Sequence, residues 1–208
     1  MRYQPRHFAL HDPAHALALI DAHPFATLIS AHPGDAGDPL VSHLPLLAQH
    51  DGEVLRLLGH LAAPNPQAAA LADGMPVTAI FHGPQGYVSP AWYGSPQAVP
   101  TWNYAVVHAR GRIARVDDSA GKERLLKALI DRHDPPYHAQ WDALDPAWRE
   151  GMKRGIVGLV ITVEQLAVKM KLSQNRSAED RAGVHQGHLS GDPAAQALAA
   201  WMRRLNLA

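Results

Sequence analysis

The 208-residue chain contains no cysteine, an absence that removes disulfides, thiolate nucleophiles and cysteine-ligated zinc or iron–sulfur centres together. It also lacks an excess of either charge: 19 Lys+Arg balance 19 Asp+Glu, so nothing in the total advertises nucleic acid or an anionic membrane. No run reaches the ~18 apolar residues of a membrane span, and the opening MRYQPRHFAL has no apolar stretch of signal-peptide length. The expectation is a soluble, cytoplasmic protein that is neither exported nor membrane-bound. A Walker loop, GxGxxG, HExxH and GxSxG are all missing, which excludes the commonest enzyme signatures.

What the chain has instead is histidine, 14 in all, and one stiff aromatic stretch. Phe81 to Gly111 holds four prolines, four glycines, two tryptophans and three tyrosines, a composition suited to lining a pocket or packing a dimer. Within it Gly83-Pro84 and Gly86 read as a turn. Asp12-Pro13 opens a helix running to about Ala22, with Leu17 and Ile20 as its buried stripe. Strands are expected at Phe25 to Ser30, Leu40 to Leu47 and Val54 to His60, separated by the loop PGDAGDP at 33–39 and a hairpin turn at Asp51-Gly52. A short helix from about Pro66 precedes strands at Val77 to Phe81 and Tyr104 to Val116. A helix follows over Lys122 to His133, and a short one runs from Asp145-Pro146 to Trp148. Strands at Ile156 to Val163 and Leu166 to Leu172, a capped turn at Ser177 and a last helix after Asp192-Pro193 complete the order. Strands without regular helix alternation predict a mainly β fold with α additions, an antiparallel barrel rather than a doubly wound sheet.

Four patterns carry chemistry. His7, His11 and His15 are spaced by four, but Pro13 interrupts the helix that would align them, so no metal site is assigned. GHLAAPNPQ, residues 59–67, ends a strand at His60 and starts a helix near Asn65 and Gln67; free amides there suit a phosphate, and a plain capped loop uses the same residues. KLSQNRS, residues 171–177, offers Lys171 and Arg176 to an anion and Gln174 and Asn175 to a heteroaromatic edge, or forms a solvated turn. In VPTWNY, Trp102 can stack on a flat ligand while Asn103 addresses its polar edge; a dimer contact or a core corner would use the indole as well.

Taken in order, YQPRHF, SHLPLL, GHLAAPNPQ, FHGPQGYVSPAWY, VPTWNYAVVHARG and KLSQNRS resemble the PaiB family, described as FMN-binding negative transcriptional regulators, from Tyr3 to about Ser177. The resemblance implies a split β-barrel of the pyridoxine-phosphate-oxidase type with peripheral helices. At 208 residues the chain suits one domain, 1–208, with a helical C-terminal extension at 177–208 packed on the barrel or on a partner subunit. The resemblance also implies a homodimer with FMN in a groove between subunits. Carried onto this chain, the cofactor contacts are His43, Leu44 and Pro45 beside the ring, His60, Ala62, Asn65 and Gln67 near the phosphate, then Trp102 and Asn103, and finally Lys171, Gln174, Asn175 and Arg176. GHLAAPNPQ departs from the oxidase pattern in having no Arg or Lys, so Lys171, Arg176 or an arginine on the Tyr104 strand is expected to supply the charge. DNA is a partner by resemblance alone. The rival readings are a flavin-dependent oxidoreductase, with no catalytic residue assigned, and a heme-binding split barrel.

Overall fold

In the computed structural model, residues 5–10, 12–31 and 38–208 are described. Residues 1–4, which begin the N-terminal motif, His11 of the spaced histidines and residues 33–37 of the PGDAGDP loop lie outside the described residues. Three Asp-Pro pairs start three of the helices. Asp12 Oδ1 accepts from the Ala14 amide at 2.9 Å, Asp145 Oδ1 from Trp148 at 2.8 Å and Asp192 Oδ1 from Ala195 at 2.8 Å. In each pair the proline takes the first helical position, where its missing N–H costs nothing.

The elements in chain order are β1 (Ala9–Leu10), α1 (Pro13–Ala22), β2 (Phe25–Ser30), β3 (Leu40–Pro45), β4 (Leu47–His50), β5 (Leu55–Ala62), α2 (Pro66–Ala70) and β6 (Pro76–Val88). They continue with β7 (Thr101–Val116), α3 (Ser119–His133), α4 (Tyr137–Ala143), α5 (Pro146–Arg154), β8 (Ile156–Lys171), α6 (Ala178–Leu189) and α7 (Pro193–Arg204). The strands form an 8-stranded sheet in the order β3-β2-β6-β7-β8-β5-β4, with β1 paired to β8. The β1–β8, β2–β3, β2–β6, β4–β5 and β5–β8 pairings are all antiparallel.

The chain divides into two compact units. Unit 1 is Met1–Ala22, His82–Val107 and Ala167–Ala208; unit 2 is His23–Phe81 and His108–Leu166. Leu28, Leu57, Phe81, Leu159 and Ile161 are fully buried in unit 2, and alternate strand residues supply them as the two-residue period requires. Gly111 belongs here for a steric reason: a Cβ on it would lie 2.0 Å from the Thr162 carbonyl oxygen, so only glycine lets β7 pass that close to β8. In unit 1, Leu19, Ile20, Met170, Leu198 and Met202 are fully buried. Leu19 therefore replaces Leu17 in the expected stripe of α1, alongside Ala16 and Ile20.

Several expectations change. Gly83-Pro84 and Gly86 do not turn the chain; they lie inside β6, which runs on to Val88. Their value is close approach, since a Cβ on Gly83 would sit 2.7 Å from Leu19 Cδ1 and one on Gly86 3.0 Å from Leu198 Cδ1. The single strand expected at Leu40 to Leu47 is two, β3 and β4, at opposite ends of the sheet order, with the buried Leu46 between them donating its amide to Pro24 O at 2.9 Å. Conversely, the two strands expected after Ile156 are one, β8, whose polar Thr162, Glu164 and Gln165 are exposed positions rather than a break. α4 was not anticipated, and the turn at Ser177 is the capped start of the 12-residue α6, with Ser177 Oγ accepting from the Asp180 amide at 3.1 Å.

Candidate functional site

In unit 2, β3 alternates between faces: Ser42 and Leu44 are buried, while Val41, His43 and Pro45 are exposed. The Thr27 hydroxyl and His43 Nδ1 are hydrogen-bonded at 3.1 Å, and Phe25 stacks beside the His43 ring at 6.5 Å. His60 is half-buried on β5. Desolvation holds its imidazole below the ordinary value, and its buried Nδ1 finds no hydrogen-bond partner among the described residues.

The strand-to-helix turn after His60 spends its own donors. Ala63 N donates to Gly155 O at 2.8 Å, Asn65 N to Ala62 O at 2.9 Å and Gln67 N to Asn65 Oδ1 at 2.8 Å. The Asn65 amide nitrogen reaches Ser42 Oγ at 3.0 Å. Gln67, 2 % exposed, sends its amide nitrogen to Ser30 Oγ, Leu40 O and Leu28 O at 3.0, 3.1 and 3.4 Å. α2 has five residues, too few for a strong terminal dipole. Asn65 thus caps α2 and Gln67 ties it to β2 and β3, while Gln67 Oε1 is buried without a hydrogen-bond partner among the described residues. Ala62 is exposed at the end of β5.

In unit 1, the end of β8 and the start of β7 carry a cationic group. Lys171 Nζ donates to Thr101 Oγ1. Its ammonium is held below the usual lysine range, first by burial and then by repulsion from Lys169 and Arg176. Lys169 Nζ lies 5.4 Å from the centre of the Tyr104 ring, and the Arg176 guanidinium 4.4 Å from that of Tyr93. Gln174 turns inward: its Oε1 accepts from Leu172 N at 2.7 Å and its Nε2 donates to Met170 O at 2.6 Å. Asn175 is exposed.

Asn103 does not present its amide at the surface. It is fully buried, its Oδ1 accepts from the Ser173 hydroxyl at 3.3 Å, and its Nδ2 lies 3.2 Å from His188 Nε2. With Oδ1 accepting, Nδ2 donates to Nε2 and the imidazole proton rests on Nδ1, which has no partner among the described residues. Burial, and then His185, push the His188 pKa down from 6.5 to about 4 against the opposing pull of Asp192. Ser173 holds the left-handed backbone conformation, φ 63°, an arrangement that its hydroxyl bond and the Arg176 N to Ser173 O bond at 2.9 Å help retain.

Trp102 is 54 % exposed and meets Tyr87 edge-on at 6.1 Å. Both line a cavity of about 950 Å³ in unit 1, walled opposite by Trp92 and by the α6 and α7 residues Gly187 and Ala194. Sequence reasoning overlooked this wall, and overlooked His188. The usable signal was Gly183 and Gly187, one helical turn apart on α6: a Cβ on Gly183 would lie 2.1 Å from Trp92 O, and one on Gly187 2.4 Å from its indole. Among the described residues, no group of three or more His, Cys, Asp or Glu side chains is placed to hold a metal ion. No helix among them is long and apolar enough to cross a membrane.

Sheet order and peripheral helices define a split-barrel protein, and two solved structures share the fold. The flavocytochrome Anf3 of Azotobacter vinelandii matches 84% of this chain and 75% of its own, at 19% identity and TM-score 0.62. The FAD and heme binding protein of Mycobacterium smegmatis matches 84% and 79%, at 19% identity and TM-score 0.60. More particularly, the chain belongs to the family described as "Putative FMN-binding domain", matched over residues 2–165. It is 32% identical over 185 residues to the Protease synthase and sporulation protein PAI 2 of Bacillus subtilis, covering 88% of this chain and 86% of that protein. The resemblance to PaiB drawn from the motifs therefore holds, and FMN is the cofactor of the family.

The donor set of unit 1 fits such a group. Lys171 and Arg176 lie at the end of β8 beside Thr101 and Tyr93, and a dianionic phosphate would offset both the repulsion between these cations and part of the burial that depresses the Lys171 ammonium. These residues lie beyond the segment matched by the family.

Proposed function

We propose that this chain binds FMN noncovalently, with Lys171 and Arg176 of unit 1 meeting the phosphate, and that it acts as a negative regulator of gene expression responsive to flavin or redox state. The clustering of Lys171 and Arg176 at the end of β8, with Thr101 beside the one and the Tyr93 ring beside the other, is the observation that carries the phosphate assignment. Lys171 contributes a point charge oriented by Thr101, and Arg176 a planar fork backed by Tyr93. As a separate proposal for unit 2, His43 and Pro45, exposed on β3, and the half-buried His60 are flavin contacts, as the resemblance implies. When bound, FMN supplies reversible one- and two-electron chemistry; the chain's part is binding, orientation and electrostatics.

The regulatory half draws on the printed name of the Bacillus relative, which refers to protease synthesis and sporulation. The zero formal charge implies that any DNA affinity is modest and falls steeply with salt. We also propose a homodimer, acting in the cytoplasm. The β2–β3 pair turns Phe25, 63 % exposed, and Val41, 49 % exposed, to one face, and the register sets Phe25 opposite Pro45 and Ile29 opposite Val41, an apolar surface suited to a second copy. Desalting the purified protein after FMN addition tests the cofactor reading: a retained flavin absorption band is the expected result, and its complete loss with no titratable binding contradicts it. Stopped-flow mixing with NADH or NADPH separates regulator from oxidoreductase, because sustained turnover would overturn the regulatory reading. Light scattering of wild type and Phe25→Glu tests the dimer, with a monomeric wild type as the contrary result.

A further inference from the structure

We propose that the Trp92–Trp102 cavity of unit 1 is a binding site for a neutral planar aromatic molecule, separate from the FMN phosphate group. Its volume of about 950 Å³ is that of a small-molecule pocket, and three flat rings, Tyr87, Trp92 and Trp102, line it beside glycines, alanines and a few polar side chains. Trp92 is fixed, because Gly183 and Gly187 leave no room for it to shift without meeting α6, and His188 meets its ring edge-on at 5.5 Å. Tyr87 and Trp102 brace one another at 6.1 Å yet remain 47 % and 54 % exposed, so their faces are ordered before anything covers them. Ordered aromatic surface of this kind costs little entropy to use.

Charge selects the class of ligand. Among the described residues lining the cavity there is no lysine or arginine, and Asp192 places a carboxylate at its rim. An anion gains nothing here and meets repulsion, whereas an uncharged ring system gains stacking and apolar burial. His188 backs the wall at Gly86, where a Cβ would lie 3.4 Å from Nδ1, and that Nδ1 is the buried proton donor with no partner among the described residues.

The test is calorimetric titration of the full chain, with and without FMN, using 2-naphthol and its anionic counterpart naphthalene-2-sulfonate as probes. The expected result is saturable 2-naphthol binding that persists with FMN present, at least about tenfold tighter than the sulfonate. Ala194→Trp fills the cavity and should abolish 2-naphthol binding while leaving FMN affinity unchanged. Trp102→Ala, at an exposed position, should weaken 2-naphthol about tenfold without loss of fold. Lys171→Ala should do the reverse, weakening FMN and sparing 2-naphthol, so that failure of the flavin reading and failure of this one are distinguishable. Absence of 2-naphthol binding, displacement of it by FMN, or equal affinity for the sulfonate would each overturn the proposal.

Discussion

Gln67 and Asn103 are both buried amides on which a polar network turns, one in unit 2 and one in unit 1. Gln67 reaches only backbone carbonyls and a serine of neighbouring strands, and Asn65 beside it caps the helix that Gln67 anchors. The donors of that network are spent on the fold, while Gln67 Oε1 is buried without a hydrogen-bond partner among the described residues. Asn103 instead joins Ser173, in a left-handed turn, to His188, whose other nitrogen has no partner among the described residues and whose ring backs a cavity wall. Strain, an unmet donor and adjacent space occur together there, and function more often accounts for that combination than stability does. Substitutions of Gln67 and Asn65 should therefore act on stability, and those around Asn103, His188 and Lys171 on pH response and ligands.

The largest expected effect on stability concerns His188. Its folded pKa lies below its unfolded value, so the folded state disfavours the proton; stability is fully present above pH 6.5 and is lost as pH falls toward about 4. The loss at pH 4 is ~3 kcal/mol from this residue. Urea denaturation at pH 7 and pH 4 should show His188→Gln losing that much less than wild type on acidification, after carboxylates and the other histidines cancel in the difference. Equal losses would remove His188 from the account. Gln67→Ala comes next, at ~2 kcal/mol at neutral pH, since Ser30 and two strand carbonyls lose a donor in a buried place. Its FMN affinity should stay as in wild type. Asn65→Ala should cost ~1 kcal/mol, the usual value of a lost helix cap. Arg112→Ala, which breaks an ion pair to Glu164 exposed on both sides, should change stability by less than ~0.5 kcal/mol, and thermal melts would show it. A reduced FMN affinity in Asn65→Ala, with stability unchanged, would reverse the comparison and return the phosphate to GHLAAPNPQ.

Much of the fold was legible because its signals are local. The Asp-Pro pairs announce helix starts, and the alternation in β2 and β5 is the two-residue period read directly. β6 was misread because glycine and proline carry two meanings, a turn or a close approach, and only the neighbours Leu19, Leu198 and His188 decide between them. The candidate site was legible in the same partial way. KLSQNRS announced a polar cluster, and Lys171 and Arg176 lie in it beside Thr101 and Tyr93. Gln174 and Asn103 have the same donor chemistry but turn it inward, a matter of backbone direction that residue type does not encode. His188 lay outside every quoted motif, and its partner is 85 residues away in sequence.

The central claim is that the cations of unit 1 hold the flavin phosphate, and fluorescence titration of FMN against wild type, Lys171→Ala and Arg176→Ala tests it most directly. Loss of one charge-assisted contact should weaken FMN by about 10- to 100-fold in each variant, while riboflavin, which lacks the phosphate, should bind all three proteins alike. FMN affinity unchanged in both variants would contradict the account.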